Sequence, residues 1–103
     1  MSFFEPISGA DFDEKLAKAR QTQDAMIIDV RSAAEVAEGY IPGAVNIPLK
    51  QIAELDADKQ TPLFLYSHSG QQSVSGCKLL ETRGYTNVTN LGGLVDYKGP
   101  LDQ

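Results

Sequence analysis

The sequence predicts an α/β fold, a mainly parallel sheet with helices on both faces. Two runs, Ala25-Met26-Ile27-Ile28-Asp29-Val30 and Pro62-Leu63-Phe64-Leu65-Tyr66, are apolar without alternation, as strands buried on both faces are. Segments of helical spacing stand between the strand-like ones. The connections are long enough to be crossovers between parallel strands.

The elements follow in order. Ser8-Gly9-Ala10-Asp11 fits a capping box before Phe12, Leu16 and Ala19, so a helix is expected over Gly9 to Gln21. Ala25 to Val30 is the first strand. Ser32 caps a short helix over Ala33 to Ala37, and Gly39-Tyr40-Ile41-Pro42-Gly43 turns into a strand, Ala44 to Ile47, stopped by Pro48. Leu49 to Leu55 reads as a short helix, Asp56 to Gln60 as a polar connection and Pro62 to Tyr66 as a buried strand. Gln72 to Arg83 reads as a helix with Val74, Cys77 and Leu80 on its inner face and Gly84 as its C′ residue. Tyr85 to Asn90 forms the last strand. Leu91-Gly92-Gly93-Leu94 is expected to be a corner, followed by a helical turn and a loose tail from Gly99.

A chain of 103 residues with 42% hydrophobic content is expected to form one domain over 1–103. A net charge of −5, scattered along the chain, argues against a nucleic acid or an acidic membrane as partner. The start Met1-Ser2-Phe3-Phe4-Glu5-Pro6 has no basic segment and no long apolar run, so a cytoplasmic location is expected, or a periplasmic one if a leader has been removed. Cys77 is the single cysteine, so no internal disulfide forms, and metal-ligand spacing is absent.

The chemistry is expected where the strand ending at Tyr66 breaks into Ser67-His68-Ser69-Gly70-Gln71-Gln72-Ser73 and then a helix. Such a junction aims backbone N–H groups and the positive helix end at one point, which suits an anion. In open parallel sheets ligands bind beyond the carboxyl ends of strands. The loop offers no obvious nucleophile.

The segments Ile28-Asp29-Val30-Arg31, Glu35, Gly39 to Pro48, Ser67 to Ser73, Gly84-Tyr85-Thr86-Asn87-Val88 and Leu91-Gly92-Gly93-Leu94 together resemble the rhodanese-like domain, in order and over nearly the whole chain. The ending is similar to the small single-domain phage-shock-protein-E type. The resemblance implies a rhodanese-like fold and, for active members, a thiosulfate sulfurtransferase that carries sulfane sulfur as a cysteine persulfide. It places Ser67 at the position of the nucleophilic cysteine and Gln71 or Gln72 at that of the basic residue holding the substrate anion. Tyr40 stands where a histidine is frequent. No cofactor is implied.

Sulfur transfer requires a nucleophile ionised near neutral pH, and an alcohol is far weaker than a thiolate without a dedicated base. His68 adjoins Ser67 in sequence, but neighbouring side chains leave a loop in different directions, and no carboxylate is placed to orient the imidazole. Without an arginine, no guanidinium grips the thiosulfate oxygens. The expected remainder is a catalytically inactive domain that binds a small anion (thiosulfate, sulfate or phosphate) at the loop, or a protein partner. Ser73 then serves as a helix cap and Cys77 as a packed apolar residue. Asp29 and Arg31 are expected to be architectural, with Arg31 closing a local pair with Glu35. The alternative is a working sulfurtransferase in which Ser67 is an engineered replacement or sulfur rides on Cys77.

Overall fold

The computed structural model describes residues 9–103. Helix α1, Gly9–Gln21, leads to strand β1, Met26–Asp29, then helix α2, Ala33–Ala37, and strand β2, Val45–Asn46. A 3₁₀ segment, Leu49–Glu54, precedes strand β3, Leu63–Ser67; helix α3, Gln71–Thr82, strand β4, Val88–Gly93, and a 3₁₀ turn, Leu94–Asp96, complete the order. Ser8, the expected cap of α1, lies outside the described residues.

The four strands form one parallel sheet in the order β2-β1-β3-β4. Although β1 and β3 are almost wholly apolar, their side chains alternate between two cores. On one face α1 lays Phe12, Leu16 and Ala19 against Ile27, Phe64, Tyr66, Leu91 and Ile41. On the other, Cys77 and Leu80 of α3, Ile52 and Tyr85 cover Ile28, Val30, Leu63 and Leu65. The two-sided cover explains why the hydrophobic pattern lacks alternation. From β1 the chain passes to β2 on one side, and β3 lies on the other. Arg31 follows the end of β1 and Ser67 ends β3, the two strands on either side of that reversal.

The structure corrects five expectations. Val74 is 39% exposed, and the inner stripe of α3 is instead Ser73, Gly76, Cys77 and Leu80. Gly76 belongs there because α3 lies so close to the sheet that an added Cβ would sit 2.9 Å from Leu65 Cδ2. The last strand begins at Val88, three residues later than expected. Tyr85 is used first to close α3: Gly84, at φ 101°, takes the left-handed turn, and the Tyr85 amide donates to the Leu80 carbonyl. Its buried ring is fixed by a hydroxyl that donates to the Leu55 carbonyl and accepts from the Ala57 amide. The expected Gly-Gly corner is strand, since Gly92 and Gly93 pair with Tyr66 and Ser67 beyond a shift in register.

Nor is the tail loose from Gly99. Tyr40 and Asp102 exchange two backbone hydrogen bonds of 3.0 and 2.8 Å in an antiparallel bridge, and Gln103 donates to the Glu38 carbonyl. Finally, Arg31 pairs with Asp29 at 2.7 Å rather than with Glu35. The same guanidinium donates to the Gly39 carbonyl, and Asn46 donates to the carbonyls of both Asp29 and Arg31. Burial works against the Arg31 charge, but the hydrogen bonds and charge of Asp29 outweigh it and the arginine pKa is raised. Asp29 and Arg31 are therefore architectural, welding the end of β1 to the Gly39 turn and to β2.

Removing one partner of this buried pair strands the other charge. Asp29→Ala is expected to cost about 3–5 kcal/mol of unfolding free energy, measured by urea titration.

Candidate functional site

The loop from Ser67 to Ser73 is held by glycines on both sides. Gly70, at φ 93°, stands before α3, and a Cβ there would meet the Gly92–Gly93 backbone at 3.2 Å. A Cβ on Gly93 would lie 2.6 Å from the Ser69 carbonyl carbon, so no side chain fits. Asn90 braces the same contact, its side chain accepting from the Gly92 amide and donating to the Gly70 carbonyl at 3.5 Å. The His68 carbonyl accepts from the Val95 amide at 3.2 Å.

Ser67 is 1% exposed, and its hydroxyl is committed to the loop itself. The amides of Gly70 and Ser73 donate to Ser67 Oγ at 3.0 and 3.2 Å. Ser73 Oγ donates to the Gly70 carbonyl at 3.0 Å and lies 3.1 Å from Ser67 Oγ. With the Ser73 proton on that carbonyl and the Ser67 lone pairs taken by two amides, the Ser67 proton points to Ser73 Oγ. This assigns the capping role to Ser67 rather than Ser73: an oxygen three residues ahead of the N-cap Gly70 satisfies the amide that an N-cap side chain normally serves. His68 is exposed and takes no part in this network.

Outside the hydroxyl pair lies a cleft of about 260 Å³ lined by Ser67, His68, Ser69, Gln71, Gln72 and Glu35. Gln71 and Gln72 are exposed there and supply first-turn amides, which have no carbonyl partner within the helix. Glu35 is the residue that sequence reasoning left out of the site. Its carboxylate accepts from the Ser32 amide and hydroxyl, while Ser32 Oγ accepts from the Glu35 amide. That capping box fixes the acid in the cleft wall, and the spacing Ser32-Ala33-Ala34-Glu35 was its available signal. A second cleft, of about 350 Å³, shares Glu35 and His68 and is walled by Arg31, Glu38, Gly39, Leu94 and Leu101. The cation in that wall, Arg31, is already engaged by Asp29.

Cys77 lies on the inner face of α3. Burial, and secondarily the charge of Glu81, pushes its thiol up to about 12 from 9.0. A thiol so placed is protonated near neutral pH and out of reach of a dissolved sulfur donor.

A parallel sheet whose third strand ends in a tight loop at the head of a helix, facing a cleft near the point where strand order reverses, is the arrangement of a ligand-binding α/β domain. The family model for the rhodanese-like domain matches residues 12–99, and the chain belongs to that sulfurtransferase family. It is 39% identical over 77 residues to thiosulfate sulfurtransferase PspE of Escherichia coli, covering 71% of this chain and 74% of that protein. It is 37% identical over 97 residues to the putative sulfurtransferase YtwF of Bacillus subtilis, covering 90% and 89%. Among solved structures, one described as a rhodanese with anions from E. coli superposes with a TM-score of 0.71 at 36% identity, over 77% of this chain and 98% of that one. A rhodanese-like domain protein from Staphylococcus aureus gives 0.77 at 30% identity, over 88% and 92%.

Ser67→Ala leaves two helix-end amides without their acceptor. It is expected to lower stability by about 1–2 kcal/mol in chemical denaturation. The raised Cys77 pKa means that the unfolded chain releases this proton first, so stability should fall as pH rises from about 9 toward 12. Urea midpoints across that range should decline less steeply for Cys77→Ala than for the unchanged protein.

Proposed function

We propose that this chain, a single rhodanese-like domain over 1–103, does not transfer sulfur and serves as an interaction domain that binds a partner at the clefts around the Ser67 loop. The observation that carries this reading is the use of Ser67 Oγ as a buried helix cap, with both lone pairs and the proton engaged inside the loop. Thiosulfate transfer needs a group that is ionised, points at the donor and can leave as a persulfide. Ser67 supplies none of these, and among the described residues its hydroxyl meets only Ser73 Oγ and the amides of Gly70 and Ser73. Gln71 and Gln72 bring hydrogen bonds without charge where the resemblance expects a cation. Glu35 adds a negative charge to the same cleft, which opposes the approach of a dianion.

The alternative of a sulfurtransferase working through Cys77 is disfavoured by the burial and raised pKa of that thiol. A second reading retains weak binding of a thiosulfate-, sulfate- or phosphate-like anion at the amides of Gln71 and Gln72. The favourable end of α3 supports it, as does the E. coli relative described with anions. The Glu35 carboxylate and the occupation of the inner amides by Ser67 make it the weaker of the two.

Turnover of thiosulfate and cyanide tests the proposal. The unchanged protein is expected at background, Ser67→Cys slightly above it, and Ser67→Cys combined with Gln71→Arg at least about tenfold higher than the single variant, because a charge-assisted grip on the anion is restored. Turnover by the unchanged protein at the level of the double variant would overturn it.

A further inference from the structure

We propose that the cleft between α2 and the 3₁₀ segment Leu49–Glu54 is a binding site for an α-amino acid with a large apolar side chain, held as its zwitterion. The cleft has a volume of about 510 Å³, the size of a small-molecule pocket. Ala33 lines it from α2, half-buried Pro48 and Leu49 line it from the segment after β2, and buried Val30 lines it from the end of β1. Glu35 and Gln72 belong both to this cleft and to the one beside the Ser67 loop, so an occupant lies next to that loop.

Two side chains of opposite charge join this apolar lining, Glu35 from α2 and Lys50 from the 3₁₀ segment. Neither is closed into an ion pair, since Asp29 and Arg31 form the one such pair among the described residues. The capping box uses only Oε1 of Glu35, which accepts from the Ser32 amide and hydroxyl, and no described residue bonds to Oε2. Lys50 likewise has no partner among the described residues. Both elements are fixed before a ligand arrives: α2 by its capping box, the other by the Leu49 amide, which donates to the Val30 carbonyl at 3.0 Å. A cation is drawn to Glu35 and repelled by Lys50, and for an anion the signs are reversed. A zwitterion satisfies both at once, with its ammonium toward Glu35, its carboxylate toward Lys50 and its apolar side chain over Val30, Pro48 and Leu49. The inference goes beyond the interaction reading given above and does not depend on whether any residue of the chain transfers sulfur.

The test titrates the full chain with L-phenylalanine, followed by amide NMR. The signals of Ala33, Leu49 and Gln72 should move together and saturate. Phenethylamine, which lacks the carboxylate, and 3-phenylpropionate, which lacks the ammonium, should each bind at least about threefold more weakly, the worth of a solvent-facing charge pair. Glu35→Gln keeps a capping-box residue in place and removes its charge. It should weaken phenylalanine by about threefold and leave 3-phenylpropionate no weaker, whereas Lys50→Gln should weaken phenylalanine and leave phenethylamine no weaker. Three outcomes overturn the proposal: those signals unmoved up to about 10 mM phenylalanine, either single-charge analogue binding as well as phenylalanine, or Glu35→Gln weakening 3-phenylpropionate as much as phenylalanine. The comparison of the three ligands needs no substitution and stands whatever either variant does to the fold.

Discussion

The loop after β3 depends on one close approach, that of the Gly70 and Ser69 backbones to Gly92 and Gly93. The bulge in β4 brings these glycines opposite Tyr66 and Ser67, and no side chain larger than hydrogen is tolerated at Gly93. This contact turns the chain back sharply enough that Ser67, the last residue of β3, faces the first turn of α3. Everything at the site follows from that geometry. In this loop, a group at position 67 meets the amides of Gly70 and Ser73. A thiolate there would be stabilised as an anion; a hydroxyl is neutral and becomes a cap.

Two buried polar units therefore flank the reversal of strand order. At the end of β1, Asp29 and Arg31 neutralise each other and use their remaining valences on Gly39 and backbone groups. At the end of β3, Ser67 and Ser73 do the same with the Gly70 backbone. Each unit is closed, with no buried side-chain polar atom among the described residues left without a partner. An active site usually keeps at least one group poised for a substrate. Here the groups facing outward are Glu35, His68, Gln71 and Gln72, all on the rim. Such a rim is suited to recognition rather than to bond making, which is why the interaction reading is preferred.

Much of the fold was legible because its signals are local and strong. The runs at 26–29 and 63–67 are short, apolar and bounded by turn residues, as buried parallel strands are, and the pattern of α1 needs no tertiary knowledge. The misreadings share a cause in long-range contacts. Tyr85 looks like a strand residue but is claimed by the closing turn of α3 and by Leu55 and Ala57. Gly92 and Gly93 look like a corner but serve a neighbour twenty-odd residues away in sequence. Val74 looks like core, and only the sheet decides that Gly76 takes the inner position. For the candidate site, the sequence drew attention to the Ser67–Ser73 loop, which lies at the head of α3 beside a cleft. It did not reveal that Ser67 would serve as the cap, because that depends on which way one hydroxyl turns. Nor did it reveal Glu35 in the cleft wall, or that the tail pairs with Tyr40.

On the proposed reading, no residue of this chain accepts a sulfur atom from thiosulfate. Intact-mass measurement of the unchanged protein after incubation with thiosulfate addresses it without any assumption about the acceptor. An unaltered mass is expected. A gain of one sulfur atom, reversed by cyanide, would contradict it, and its loss or survival in Cys77→Ala would say whether α3 or the loop carries the persulfide.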